Sequence, residues 1–510
     1  MVAGCLLAAG AAAIARDDSA DPSASTPQRP ARPAESHPPV VLLIFDEFPG
    51  DALLGPDGNI DAKRYPAFAE LARSSWWFRN AHTVFDFTRQ AVPLIFDGRR
   101  PVPGGGGSQK AHPKTIYDVL GLRGYRMVPS EDVTALCPPR WCRGAPTRIP
   151  DTLKALASGR PERLRRWIGR IGSRGRTFYV KHTLLPHVPY VYLPSGRRTR
   201  NGVLDPINRM NREGGYGDPF LTRHNEQRFL LQLGFVDRQL GALIRRMRKT
   251  GIYDRALIVV TADHGGSFET GVPSRRDIKL RNVDEVGPVP LFVKRPNQRG
   301  GRISDAMVRT LDVMPTIADV VNAPIRFSRD GRSAFGPDAR KRRFVRIPTR
   351  DFSRTIKISR DAWIKRRRTI VIRRLRRYGS GDLASLYTGI GPNRALLGRK
   401  LADLKPAPAG RARAAFVRGE RLRSVRPASG LMPTQLAGTI RGGRPGARRD
   451  LAVAVNGRVE GVGRTWRLTG QRPERFALNL PEAALHQGRN EVVLLEVQAG
   501  GRSVRVLGRI

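Results

Sequence analysis

Cysteine is scarce in this 510-residue chain, with three in all. No C-x-x-C occurs and no second cysteine pair exists, which excludes a zinc site built from four thiolates. Acidic residues are also thin: 44 Asp plus Glu stand against 91 Lys plus Arg, a formal charge of +47. Beyond the N-terminal stretch there is no run of about 18 apolar residues, so the rest of the chain does not read as an integral membrane domain. No self-similarity at a solenoid or propeller period is visible. Apolar residues still make up 40% and aromatics 7%. That is enough for a core, and it excludes global disorder and fibrous or collagen-like classes. The length predicts two to four folding units, at about 100–200 residues each.

Two of the cysteines sit together in L-C-P-P-R-W-C, as Cys137 and Cys142. A disulfide closing this short loop is expected, which implies an oxidising, extracytoplasmic setting. Cys5 lies in the apolar stretch 2–14, V-A-G-C-L-L-A-A-G-A-A-A-I. This stretch has the length of a signal-peptide core but no basic residue before it. Residues 1–16 are therefore read as a signal or a truncated transmembrane segment, and the Pro/Ser/Ala-rich residues 17–37 as a linker.

Order is expected from residue 38. V-V-L-L-I-F at 40–45 has the continuous apolar character of a strand buried on both faces, and it ends in Asp46-Glu47. Residues 66–73 have a helical pattern with a leading proline, and W-W-F after them leads into another extended segment. Another helix is expected near Thr115–Leu122 and a short strand at Phe178–Val180. Leu233, Val236, Leu240, Ile244 and Met247 recur at helical spacing, with Gly251 just past the basic end. Ala256–Val260 is a second buried strand and runs into T-A-D-H-G-G. Val289–Val293 reads as a strand and Asp305–Val321 as a helix. This alternation predicts a layered α/β domain over 38–325.

Residues 326–430 read as a basic subdomain and linker, with K-R-R at 341–343, K-R-R-R at 365–368 and R-R-L-R-R at 373–377. These runs favour a polyanionic partner, such as an anionic membrane surface or envelope polymer, while the spread of arginine elsewhere fits ordinary solvated faces. Residues 431–510 read as β-rich and sandwich-like, with an Asn-Gly hairpin signal at 456–457.

The chemistry gathers at strand ends. Asp46, Asp263 and His264 close predicted buried strands, and strands of this kind converge at one sheet edge. Carboxylate and imidazole together suit a divalent cation. A lone Asp-His-Gly is also an ordinary turn or helix cap. The matching D-E at the end of the first strand favours the site.

The arrangement resembles the sulfatase branch of the alkaline phosphatase superfamily. The resemblance covers about residues 38–325 and rests on V-V-L-L-I-F-D-E, F-T-R-Q-A-V-P at 87–93, L-P-H-V-P-Y at 185–190, V-V-T-A-D-H-G at 259–265 and L-D-V-M-P-T at 311–316. It implies an alkaline phosphatase-like central mixed sheet between helices. Asp46 is similar to the family's first metal ligand, and Glu47 stands where the family has a second Asp. Thr88 matches the nucleophile, which is also a metal ligand. Asp263 and His264 resemble the late metal pair. His187 resembles the histidine that contacts the sulfuryl or phosphoryl oxygens, and Arg89 is a candidate anion contact.

One departure matters. True sulfatases convert a Cys or Ser in C/S-x-P-x-R to formylglycine, whereas this chain has T-R-Q-A-V at 88–92. A threonine there resembles the phosphoglycerol-transferase and lipoteichoic acid synthase-like members. The resemblance thus implies one divalent ion (manganese, zinc, calcium or magnesium). It implies hydrolysis or transfer of phosphate esters ahead of sulfate esters, on an anionic substrate such as an envelope glycolipid or polymer. Nucleic acid is not the expected partner. A sulfuric ester hydrolase and an inactive polyanion-binding envelope protein are the alternatives. No second Asp-x-x-x-His ligand set is found, since His182 and His187 lack that partner.

Overall fold

The computed structural model describes residues 37–146, 148–199, 217–272, 274–388, 390–443, 448–467 and 473–510. The expectations for residues 1–36, including Cys5, lie outside these residues. Among the described residues no helix is long and apolar enough to cross a membrane.

The architecture is α/β, centred on a seven-stranded mixed sheet. Its strands are β1 (Val40–Asp46), β2 (Trp76–Phe78), β3 (Arg126–Glu131), β4 (Thr177–Pro186), β5 (Leu257–Ala262), β6 (Leu291–Lys294) and β7 (Arg302–Ser304). The order is β3-β4-β1-β5-β6-β2-β7. The middle strands β4, β1 and β5 run parallel and β6 returns antiparallel. Every residue of β1, β4 and β5 is buried, as expected of strands covered by helices on both faces.

The expected helices form, some with shifted bounds. The helix Pro219–Lys249 is longer than its apolar stripe suggested, because Asp218 caps its first turn by accepting from the Leu221 N–H at 2.9 Å and Pro219 occupies the first position. It ends in Arg246, Arg248 and Lys249, and Gly251 follows with φ 71°. From within it the buried Asp237 accepts from the backbone N–H groups of Ala67 and Phe68, each at 3.0 Å. Tyr65 offers the Pro66–Ala72 helix no side-chain cap, so a carboxylate from a neighbouring helix supplies it. Burial pushes Asp237 up to about 6 against these hydrogen bonds.

Two elements depart from the sequence reading. Strand β4 extends through Lys181, His182 and Thr183, polar residues that hid it. Lys181 is tolerated there because its Nζ lies 2.6 Å from the buried Asp132. The expected helix over Asp305–Val321 is confined to Val313–Val320 after a short 3-10 turn. The backbone before it bonds elsewhere: the His82 N–H donates to Val308 O and the Thr310 N–H to His82 O. Those groups are then not free to close helical turns.

Cys137 and Cys142 form a disulfide with Cα atoms 5.9 Å apart. Beyond the main sheet, β8 (Phe344–Pro348) and β9 (Thr355–Ser359) make a hairpin. Two antiparallel sheets follow. One holds β10 (Arg413–Phe416), β11 (Gln435–Arg441) and β14 (Glu474–Asn479). The other holds β12 (Asp450–Val455), β13 (Arg458–Arg464), β15 (Val492–Gln498) and β16 (Ser503–Arg509). Leu436, Phe476 and Leu478 of the first pack with Leu451, Val453 and Leu494 of the second, so the sheets share one core. Asn456 and Gly457 both have positive φ, 49° and 80°, the backbone a two-residue hairpin between right-twisted strands needs.

The basic runs at 365–368 and 373–377 lie in one helix, Arg360–Tyr378, and much of their charge is spent inside the molecule. Arg367 is buried and grips both oxygens of Asp51, at 2.6 and 2.8 Å. Arg374 and Arg377 meet Glu226 at 3.5 and 2.7 Å, and Arg366 meets Asp284 at 2.7 Å. Trp363, fully buried, packs among Val283, Val286, Ile347 and Ile358. Solvated basic faces are thus only part of this helix. Arg367→Ala is expected to lower unfolding free energy by about 3–5 kcal/mol, because it strands the Asp51 carboxylate in the interior. Arg368→Ala, on the exposed side, should change it by no more than about 0.5 kcal/mol. Denaturant titration of both variants checks the contrast.

Candidate active site

Three segments meet at the carboxyl ends of β1 and β5. Asp46 ends β1, and Asp263-His264 follows β5 directly. The two strands are neighbours with Phe45 opposite Ala262, so their terminal residues emerge side by side. The third segment is the start of the helix Thr88–Asp97, with Thr88 as its first residue. It is anchored from behind: Asp86 accepts from the Ile278 N–H at 2.7 Å and from Arg350 at 3.1 Å.

These segments bring Thr88, Asp46 and His264 together. Thr88 Oγ1 lies 3.4 Å from Asp46 Oδ1 and 3.4 Å from His264 Nε2. His264 Nδ1 is 2.8 Å from the Gly265 carbonyl, which only accepts, so Nδ1 carries the proton and Nε2 presents its lone pair. Asp263 Oδ1 accepts from the His264 and Glu47 N–H groups, at 2.6 and 3.2 Å. Its Oδ2 has no hydrogen-bond partner, and neither has Asp46 Oδ2. Gly265 is required where the chain turns away, since a Cβ there would run into the carbonyls of Glu285 and Val286.

This pocket is a crowd of acceptors with one hydroxyl hydrogen among them. Burial, then the Asp263 and Glu47 charges, push the Asp46 carboxyl well above the usual range. Burial also raises Asp263, against the pull of His264 and the two N–H bonds. A divalent cation would meet what the protein leaves unsatisfied: two orphaned carboxylate oxygens and an imidazole lone pair, all buried. The donor set of Asp46, Thr88, Asp263 and His264 therefore fits such an ion.

Glu47 takes a different place. Its backbone is left-handed, with φ 55°, an uncommon conformation for a residue with a Cβ. Both of its oxygens receive Arg275, at 2.8 Å each, and Arg276 stands 3.6 Å away. Burial alone would raise its carboxyl, but Arg275, with His187 and Arg276, outweighs burial and holds it well below the ordinary range. Glu47, Asp46 and His187 still bring one ligand atom each within 4.8 Å of one another. In this structure, however, the Glu47 charge is already matched by arginine.

His187 closes the pocket opposite. Its Nδ1 donates to the Val188 carbonyl at 2.6 Å, leaving Nε2 3.2 Å from Arg275 and 3.3 Å from Glu47. Burial, helped by Arg275 and Arg276 against Glu47, lowers it to about 3, so it is neutral at ordinary pH. The loop that carries it is held from two sides. Arg160, itself buried, donates to the carbonyls of Leu184 and Pro189 at 2.9 and 2.7 Å. Gln232 of the long helix donates to those of Pro186 and His187 at 2.8 and 3.2 Å.

Arg89 corrects one expectation. Its guanidinium donates to Thr152 Oγ1 at 2.7 Å rather than to the Thr88 pocket. As the second residue of its helix, it starts off away from the face that Thr88 presents. The cationic place beside the pocket belongs to Arg275 and Arg276. Nothing in the sequence marked them, because S-R-R is ordinary in a chain with 91 basic residues.

Residues 162–323 match the family profile described as Sulfatase. Over this third of the chain the sequence is similar to a sulfatase domain. The matched residues include His187 and the Asp263-His264 pair. Asp46 and Thr88 lie outside them: the first meets the pair across neighbouring strands and the second from the start of a helix. Over 94 residues the chain is 31% identical to human N-sulphoglucosamine sulphohydrolase, covering 18% of this chain and 17% of that protein. It is 26% identical over 98 residues to bovine arylsulfatase K, covering 19% and 18%. It is 25% identical over 88 residues to lipoteichoic acid synthase 1 of Bacillus subtilis (strain 168), covering 16% and 14%. The aligned part is thus less than a fifth of each of these relatives. Among solved structures, a phosphonate monoester hydrolase from Silicibacter pomeroyi is similar, with TM-score 0.43 and 19% identity over 61% of this chain and 79% of that one.

Proposed function

We propose that this sulfatase domain is a metal-dependent hydrolase or transferase of phosphate esters, working through Thr88 as nucleophile. The observation that carries the reading is the placement of the Thr88 hydroxyl, 3.4 Å from both Asp46 Oδ1 and His264 Nε2, among buried acceptors without partners. A divalent cation held by Asp46, Thr88, Asp263 and His264 supplies Lewis acidity, which eases loss of the hydroxyl proton and offsets charge on the transferring group.

Thr88 starts a helix, whose N-terminal end favours an anion, and of its first turn the Gln90 N–H is already taken by the Phe87 carbonyl. Arg276 is a quarter exposed and only loosely paired, which leaves its guanidinium able to take a phosphoryl oxygen. Neutral His187, its Nδ1 bonded to the Val188 carbonyl, accepts from Arg275 at Nε2 and so holds that guanidinium beside the mouth. Thr88 Oγ1 attacks phosphorus in line, the bond to the departing oxygen breaks, and the proton Thr88 loses is balanced through solvent by the one the departing oxygen gains. Water, or an acceptor alcohol in a transferase, then displaces Thr88.

The substrate class inferred is an anionic ester, such as an envelope glycolipid or polymer. The Cys137–Cys142 bridge supports an extracytoplasmic setting, secreted or membrane-associated. Sulfuric ester hydrolysis is the second reading, favoured by relatives named as sulfatases. The test is turnover of an aryl phosphodiester against an aryl sulfate by the purified chain, with manganese, zinc, calcium or magnesium added in turn. Preference for the phosphodiester by about tenfold or more in kcat/KM is expected. Preference for the sulfate would overturn the phosphoryl assignment, and no turnover of either would favour an inactive scaffold.

A further inference from the structure

We propose that His182 supplies a second imidazole nitrogen to the cation held by Asp46, Asp263 and His264, an inference that rests on the metal site proposed above. His182 lies on β4, next to β1, which in turn borders β5. In the parallel registers Ile44 is opposite His182 on one side and Thr261 on the other. Residues opposite one another in a sheet share a face, and residues two apart along a strand return to it. Asp46 and Asp263 are two residues beyond Ile44 and Thr261. The sheet therefore aims His182 at the face from which both carboxylates emerge, one step deeper.

The side chain behaves as a ligand without its ion. His182 is fully buried, and neither Nδ1 nor Nε2 has a hydrogen-bond partner. A neutral imidazole carries one donor and one acceptor, so burying both unmet is costly for a residue kept only for packing. Nearby Asp132 is no remedy, since Lys181 and Arg163 already occupy it at 2.6 and 2.9 Å. One His182 nitrogen and one oxygen each of Asp46 and Asp263 lie within 4.8 Å of one another. The oxygens left unpartnered are Asp46 Oδ2 and Asp263 Oδ2. Three orphaned acceptors from three adjacent strands thus converge on one point, which a hard divalent cation would complete.

The experiment loads the full chain with Mn2+ alone and counts coupled nitrogens by electron spin-echo envelope modulation. Two coordinated imidazoles are expected in the parent, and one each in His182→Gln and His264→Gln. Mn2+ affinity of His182→Gln, read by titration, should fall at least about tenfold. A single coupled nitrogen in the parent would overturn the inference while leaving the metal site standing, and needs no variant to fold. Unchanged affinity with two nitrogens retained in a folded His182→Gln would also overturn it. Failure of the parent to bind any Mn2+ would overturn the metal reading itself, and this inference with it.

Discussion

Thr88→Ala is expected to lower turnover of a cleaved phosphodiester by at least about three orders of magnitude, the scale seen when an enzyme loses its covalent nucleophile. The fold should survive, because the change deletes one small polar group at the start of a helix whose anchors, Asp86 and Phe87, remain. Intact-protein mass spectrometry of a quenched reaction supplies an independent reading. The parent should carry a phosphoryl adduct on the peptide containing Thr88, and the variant none. Undiminished turnover in Thr88→Ala would refute the nucleophile assignment. An adduct on another residue would move it.

Asp263→Asn should remove both metal and activity, and it should do so with a change of sign in stability. An asparagine keeps the Oδ1 contacts to the His264 and Glu47 N–H groups, but it turns an amide toward the place of the unpartnered Oδ2. Mn2+ affinity is expected to fall at least about a hundredfold, because a neutral amide is a poor ligand for a hard cation. Without metal the variant should be the more stable protein at pH 7, by on the order of 1 kcal/mol. The Asp263 and Asp46 carboxyls are both raised by burial, so each destabilises the fold when ionised above its unfolded pKa. Removing one charge relieves that cost. With metal the order should reverse. Thermal melts with and without Mn2+ check the crossing, and parallel melts in both conditions would argue against a cation between these carboxylates.

Much of this site was legible because its parts end buried strands. Val40–Phe45 and Leu257–Val260 announce themselves by unbroken apolar runs, so Asp46 and Asp263-His264 stand out as charge where the runs stop. Thr88 and His187 were placed by resemblance alone. What stayed hidden was set by pairing across space. Strand β4 is longer than the expected Phe178–Val180, because Lys181 and His182 look like loop residues until Asp132 and the strand register are seen. Arg275 and Arg276 carry no local signal, whereas Arg89 stands next to Thr88 in the sequence. The helix expected over Asp305–Val321 failed for a similar reason: its first turns bond to His82, a partner more than two hundred residues away in sequence.

The arginine helix bears on how far this protein can be trimmed. A version ending at Ser359 would keep the whole seven-stranded sheet and Thr88, Asp46 and Asp263-His264. It would nevertheless strip Asp51 of Arg367, and Glu226 of Arg374 and Arg377, leaving two carboxylates facing an uncovered groove. It would also bare the apolar seat of Trp363. The shortest unit that can stand alone therefore reaches at least to Tyr378. A shorter fragment would need Asp51→Asn, Glu226→Gln and polar replacements at Val283 and Val286 before solubility could be expected of it.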